Sequence, residues 1–305
     1  EHVLAVFAHH VVSDAWSMGV LVREVGQAYA AFVRHEEPNF SPLPIQYADY
    51  AAWQRRELAG PRLDGELAFW KRELAGAPFV LELQTDKPRP ATQTYRGSGS
   101  LGRLAPDIVA KLRELAEREG ATLFMALLGA FYWLLSKHTG QRDMIVGTPV
   151  AGRVHPDTEG VVGMFVNTLP LRAKWETSAT FVELLREVKA RSLRALEHQE
   201  VPLAKLVEVL QPERDASRSP LFQTLFSLEN TPKVEQAFGG AVTFHAAPVE
   251  FETTQFELLL GCIEEQDGSL SAGFLYNVDL FATATGSALL ERYLGLVRAL
   301  SENGN

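Results

Sequence analysis

The run Leu123-Phe124-Met125-Ala126-Leu127-Leu128-Gly129-Ala130-Phe131-Tyr132-Trp133-Leu134-Leu135 limits what this chain can become more than any other stretch. It is apolar throughout, yet shorter than the roughly 20 residues that a membrane helix needs. It therefore reads as a helix buried inside protein, and the rest of the chain must supply the layers that cover it. Thr122 stands where an N-cap is wanted and Gly140 where a left-handed terminator is wanted, so the helix is expected to run to Thr139.

Material for those layers lies on both sides. Strands are expected at residues 98–104, 143–150, 169–175, 222–228, 256–264 and 270–277, with Gln266-Asp267-Gly268 turning the last two into a hairpin. Helices are expected from Pro106 to just before Gly120, from Thr180 to about His198, over 203–210 and over 283–301, with a polar run-out at 301–305. Nearer the N-terminus, Met18, Leu21, Val25, Ala28 and Phe32 recur at helical spacing and predict one buried face. Two more helices are read at 45–54, where Tyr50 and Trp53 form a packing stripe, and at 64–75, where Leu67, Trp70 and Leu74 share a face. Residues 76–94 are rich in Pro, Asp, Lys and Arg without apolar rhythm, which is the composition of an interdomain linker. The alternation of elements gives an α/β (α+β layered) fold class.

Bulk properties exclude several function classes. A net charge of −9 with no basic block argues against nucleic acid as the main partner. No membrane span or signal-peptide pattern is read, and Cys262 is the only cysteine, so a reducing, cytoplasmic setting is expected. Cys262 falls in an expected strand and reads as a core thiol. The chain, 305 residues long, has room for one large or two ordinary domains. It starts at Glu1 and enters an apolar run almost at once, so residues preceding it are expected.

That run, Val3-Leu4-Ala5-Val6-Phe7-Ala8, reads as a buried strand, and the helical period begins at Trp16. His9-His10-Val11-Val12-Ser13-Asp14-Ala15 is then a turn feeding a helix N-terminus, where unpaired N–H groups and a positive partial charge favour an anionic intermediate. Two imidazoles and a carboxylate in such a turn fit a metal site, an acid/base site or a packed pair. The glycine-punctuated stretch at 160–168 has no lysine after its glycines, so a phosphate loop is discounted.

Taken in order, several of these stretches resemble the condensation domains of nonribosomal peptide synthetases. His9-His10-Val11-Val12-Ser13-Asp14-Ala15 resembles the family's HHxxxDG motif, and Tyr47-Ala48-Asp49-Tyr50-Ala51-Ala52-Trp53-Gln54 its YxDYxxWQ block. Val162-Gly163-Met164-Phe165-Val166-Asn167-Thr168, with Arg172, is similar to its GxFVNT block. His198-Gln199-Glu200-Val201-Pro202, Arg214-Asp215-Ala216-Ser217-Arg218-Ser219-Pro220-Leu221 and Tyr276-Asn277-Val278-Asp279-Leu280-Phe281 match its later part. There are two departures: Ala15 stands at the motif glycine, and the two blocks that precede HHxxxDG in the family are not found. The resemblance implies two chloramphenicol acetyltransferase-like lobes in a V arrangement, the first lobe incomplete. Residues 1–85 would be the C-terminal part of the N-lobe, and 86–305 the C-lobe with the crossover loop.

The activity so implied is amide formation between a donor acyl or peptidyl thioester and the α-amino group of an acceptor aminoacyl thioester. His10 would be catalytic, orienting the amine and taking its proton, while His9, Asp14 and Ala15 support the site. Asp14 is expected to be a buried carboxylate held by an arginine, one place for which is the segment preceding this chain. The Ala15 N–H would help stabilise an oxyanion, with strain if the backbone there must be left-handed. Trp16 and Asn167 would line the substrate tunnel. No metal is expected, because adjacent histidines on a strand end face opposite sides and no third ligand is spaced to join them. No cofactor is implied for the domain itself. The substrates ride on phosphopantetheine arms of upstream and downstream peptidyl carrier domains beside an adenylation domain, with neither nucleic acid nor membrane as partner. Two alternatives stay open: a coenzyme A-dependent acyltransferase of the same fold, and a non-catalytic module that docks carriers.

Overall fold

A computed structural model describes residues 2–229, 236–238, 242–244 and 252–303. In chain order the elements are α1 (Ala15–Val33), α2 (Tyr47–Glu57), α3 (Gly60–Glu73), β1 (Gly97–Leu104), α4 (Pro106–Arg118), α5 (Leu123–Thr139), β2 (Asp143–Val150) and β3 (Asn167–Lys174). They continue with α6 (Phe181–Glu197), α7 (Leu203–Leu210), β4 (Thr224–Glu229), β5 (Gln236–Phe238), β6 (Val242–Phe244), β7 (Leu258–Glu264), β8 (Leu270–Asn277) and α8 (Thr283–Asn303). Two compact units result, one from Glu1–Gly65, Val150–Asn167 and Thr231–Val249, the other from Glu66–Pro149, Thr168–Asn230 and Glu250–Asn305.

The larger unit is organised around α5, the apolar run of the sequence. Thr122 Oγ1 accepts the Met125 N–H at 3.3 Å, and Gly140 ends the helix with φ +77°. Most of its residues are buried, because α4, α6, α8 and β4 all pack on it. Beside it lies one mixed sheet of order β1-β8-β7-β4-β2-β3, in which β8 pairs antiparallel with both β1 and β7, and β4 pairs parallel with both β7 and β2. The Gly268 turn, at φ +81°, reverses β7 into β8. Phe131 of α5 packs on Phe226 of β4 at 6.1 Å and on Phe274 of β8 at 5.9 Å, joining helix to sheet. Truncating either strand phenylalanine to alanine is worth about 3–5 kcal/mol.

Several expectations need correction. Residues 3–8 form no strand and pair with no described strand, and Val3 and Phe7 are 85% and 95% exposed. An apolar run specifies an extended segment only where a neighbouring backbone takes its hydrogen bonds. On α1 the buried residues are Ser17, Val20, Gly26 and Ala31, whereas Val25 and Phe32 of the expected face are exposed. Helical spacing shows that a face is apolar and is silent about what covers it. Residues 301–303 of the expected run-out are instead the last turn of α8, which continues to Asn303, and 304–305 lie outside the described residues. The strands β5 and β6, a small antiparallel pair, were not anticipated.

Residues 76–94, linker-like by composition, lie inside the larger unit. Leu81 and Leu83 are buried, and the buried Gln223 amide accepts the Leu81 N–H at 2.7 Å while donating to Phe79 O and Ser219 O. Arg89 grips the buried Glu257 through two bonds of 2.7 and 2.8 Å. The segment's polar side chains are thus tethers that composition alone does not distinguish from solvated ones.

Candidate functional site: the histidine turn

His10 opens a 3-10 turn, His10–Val12, which is closed by the Val12 N–H on His9 O at 3.0 Å. His9 caps this turn, its Nδ1 accepting the Val11 N–H at 3.1 Å. Both imidazoles are exposed, and among the described residues the His10 ring makes no hydrogen bond.

Immediately after them the chain is locked. Asp14 is the N-cap of α1: Oδ1 accepts the Ser17 N–H at 2.8 Å, and Oδ2 accepts the Phe165 N–H at 3.0 Å. Its arginine partner is Arg153, within this chain, whose Nη2 lies 3.2 Å from Oδ1. Side-chain exposures of 2% for Arg153 and 4% for Asp14 make this a buried pair. Burial alone would raise the Asp14 carboxyl, but hydrogen bonds from Ser17 and Phe165 and the Arg153 charge outweigh it and hold the group below its ordinary value. Asp14 is therefore a carboxylate at neutral pH and a fixture of the turn.

Arg153 holds more than Asp14. Its Nη1 donates to Thr158 O and, at 2.8 Å, to Val161 O, so one guanidinium gathers the carbonyls of the segment that follows it. Its Cζ lies over the Phe165 ring, 4.0 Å from the ring centre, and over the Trp16 ring, 5.6 Å from its centre. Trp16 in turn donates Nε1–H to Glu159 O at 2.9 Å, while its ring stays partly exposed. Gly152, at φ +65°, lets the chain turn into this arrangement, since a Cβ there would sit 2.0 Å from Phe165 O.

The α2 stripe packs on the same loop. Tyr50 is buried with Val161 and Phe165, and Tyr47 meets Phe165 edge-on at 5.1 Å. The Tyr47 hydroxyl donates to Met164 O at 2.8 Å. Burial, and then the Asp14 charge, raise this phenol above its ordinary value, which keeps it a donor.

Ala15 is the first residue of α1, is exposed, and lies outside the left-handed region, which among the described non-glycine residues holds His35, Gln211 and Leu221. The strain considered for an alanine at this position is absent, and the Ala15 amide sits in the first helical turn, where N–H groups have no helical acceptor. Asn167 begins β3 and is half-buried. The structure thus brings Asp14 and Trp16 together with residues 153–165, whereas His9 engages its own turn. Arg153 and Ser17 were not singled out from the sequence. The available signal was that Arg153 is the only lysine or arginine between Arg142 and Arg172.

Among the described residues no group of three or more His, Cys, Asp or Glu is placed to hold a metal, and no single helix is long and apolar enough to cross a membrane. Cys262 is buried in β7, where burial pushes its thiol up to about 12, so it is no nucleophile at neutral pH.

Comparison with known proteins gives a consistent result. The condensation domain family matches residues 1–305. A linear gramicidin synthase polypeptide of Brevibacillus parabrevis is 43% identical over 301 residues, 97% of this chain and 6% of the relative. Surfactin synthase subunit 1 of Bacillus subtilis (strain 168) is 40% identical over 298 residues, 97% of this chain and 8% of the relative. The chain therefore spans a small fraction of the curated relatives it matches. Among solved structures, the X-domain from teicoplanin biosynthesis superposes with a TM-score of 0.85 at 27% identity, covering 97% of this chain and 68% of that one. A four-domain nonribosomal peptide synthetase bound to AMP and glycine gives 0.86 at 27% identity, covering 97% and 23%. The mixed sheet with its flanking helices is accordingly the chloramphenicol acetyltransferase-like fold of condensation domains.

Proposed function

We propose that this chain, which belongs to the condensation domain family, forms an amide bond between two thioester substrates carried on the phosphopantetheine arms of carrier domains. The setting is a multidomain synthetase with upstream and downstream carriers and an adenylation domain, the kind of assembly to which its relatives belong. The observation that carries the proposal is the contrast within one turn: an exposed His10 is followed at once by a buried, ion-paired Asp14. A mobile imidazole would be a poor catalyst, and a wholly buried one could not meet a substrate.

In the proposed reaction the acceptor amine attacks the donor thioester carbonyl, the C–N bond forms and the C–S bond breaks. The proton lost from nitrogen is the one the departing thiolate takes up, so no other reactant is consumed. An α-amino group has a pKa of about 7.7–8.0 and is partly neutral at cellular pH, so the chemical demand is modest. Holding both substrates in attack geometry supplies about 7–11 kcal/mol, and a general base adds about 10²- to 10⁴-fold. His10 orients the amine and relays its proton, histidine being suited to both roles near neutrality. His9 and Asp14 hold the turn, the Ala15 N–H faces the developing oxyanion, and Trp16 and Asn167 contact the substrate arms.

The test is a condensation assay in the full-length polypeptide with loaded donor and acceptor carriers, reading the dipeptidyl thioester by mass spectrometry. Product that forms equally from coenzyme A thioesters and an alcohol would point to a stand-alone acyltransferase. Carrier binding without product would point to a docking module.

A further inference from the structure

We propose that Ser17 is a positioning residue for His10, a role that rests on the reading of His10 given above. The serine is fully buried at 0% exposure on the first turn of α1. Its hydroxyl has one hydrogen to give and two lone pairs to fill, and all are used. Oγ donates to Gly163 O at 2.8 Å, accepts the Gly163 N–H at 3.0 Å and accepts Nη2–H of Arg153 at 2.9 Å. Its own backbone N–H goes to Asp14 Oδ1 at 2.8 Å.

A helix of this kind needs no side-chain hydroxyl inside its first turn once Asp14 has capped it, so the bonds of Ser17 serve the loop and not the helix. They fix both polar atoms of one peptide residue, Gly163, which sets the loop's height and rotation against α1. Gly163 has no freedom to compensate, because a Cβ there would lie 2.1 Å from the Tyr47 ring, so the loop is pressed between Tyr47 and Ser17. Two residues further on, Phe165 delivers its N–H to Asp14 Oδ2. Through this circuit Ser17 fixes the carboxylate that ends the histidine turn, and with it the direction in which His10 is presented. A displacement of about 1 Å at a reacting group costs up to about 10²-fold in rate.

The experiment is a double-mutant cycle of Ser17→Ala and His10→Ala in the full-length polypeptide, with single-turnover product formation and KM for each carrier as readouts. Ser17→Ala is expected to lower kcat about 10- to 10²-fold with KM unchanged, and to cause no further loss in the His10→Ala background. Equal losses in both backgrounds, or a loss confined to KM, would overturn the positioning role. Should alanine at 17 abolish folding, Ser17→Cys goes through the same cycle, since its somewhat larger thiol keeps a donor and an acceptor at the position while weakening each hydrogen bond. Unimpaired turnover by His10→Ala alone would refute the reading of His10 itself, an outcome distinct from additive losses in the cycle.

Discussion

The Arg153 guanidinium sits 3.2 Å from the Asp14 carboxylate across a separation of 139 positions in the chain, and each group is all but inaccessible to water. The motif aspartate is therefore an anchor whose counter-ion comes from a segment far along the chain. Asp14→Ala strands a buried cation and is expected to cost about 3–5 kcal/mol in urea denaturation. Asp14→Ala combined with Arg153→Ala should cost less than the sum of the two single replacements, and simple additivity would refute the pairing.

The same pair sets an acid response. The Asp14 carboxyl titrates below its ordinary value of 3.8 in the folded protein, so its contribution is fully present above that pH. It is lost as the pH falls through the lower folded value. Parent and Asp14→Asn should thus differ in melting temperature at neutral pH and converge in strong acid. A constant gap would exclude ionisation as the source.

His10→Ala should leave the melting temperature unchanged, since the ring is exposed, while product formation falls by about 10²- to 10⁴-fold. Turnover at the parent rate would remove His10 from the mechanism.

Ala15→Gly should not speed the reaction. Ala15 already has helical backbone at the start of α1, so glycine brings only a conformational cost of up to about 1 kcal/mol. A marked rate gain would show that the proposed reaction needs a backbone state other than the one described.

Gly163→Ala should destabilise by about 1–3 kcal/mol, through the clash of its Cβ with Tyr47 at 2.1 Å. Tyr47→Ala in the same chain should relieve part of the strain, and simple additivity in thermal melts would contradict the contact.

Legibility in the sequence followed the range of the interactions. The long helix was plain because Thr122, Gly140 and the apolar run are local signals, and β2 was bounded correctly for the same reason. The motif histidines were equally plain as a turn before a helix. The apolar run at 3–8 does not reveal that it lacks a partner because pairing is a property of two segments, nor does α1 reveal its exposed side, because covering is too. Arg153 escaped notice since nothing in its immediate sequence explains it. Its contacts with Asp14, Ser17, Thr158, Val161 and the ring of Phe165 exist only after the chain has returned.

That return has a bearing on biosynthesis. On a ribosome the histidines emerge before the groups that hold Asp14 and Ser17, which arrive only with Arg153, Gly163 and Phe165, after the whole of Glu66–Pro149 has been made. A nascent or truncated chain that stops before Phe165 carries the complete HHxxxD motif with an unclosed circuit around it. Closure of the circuit around Asp14 and Ser17 is therefore timed by synthesis of the return segment, and the motif stands in a closed circuit only when that segment follows.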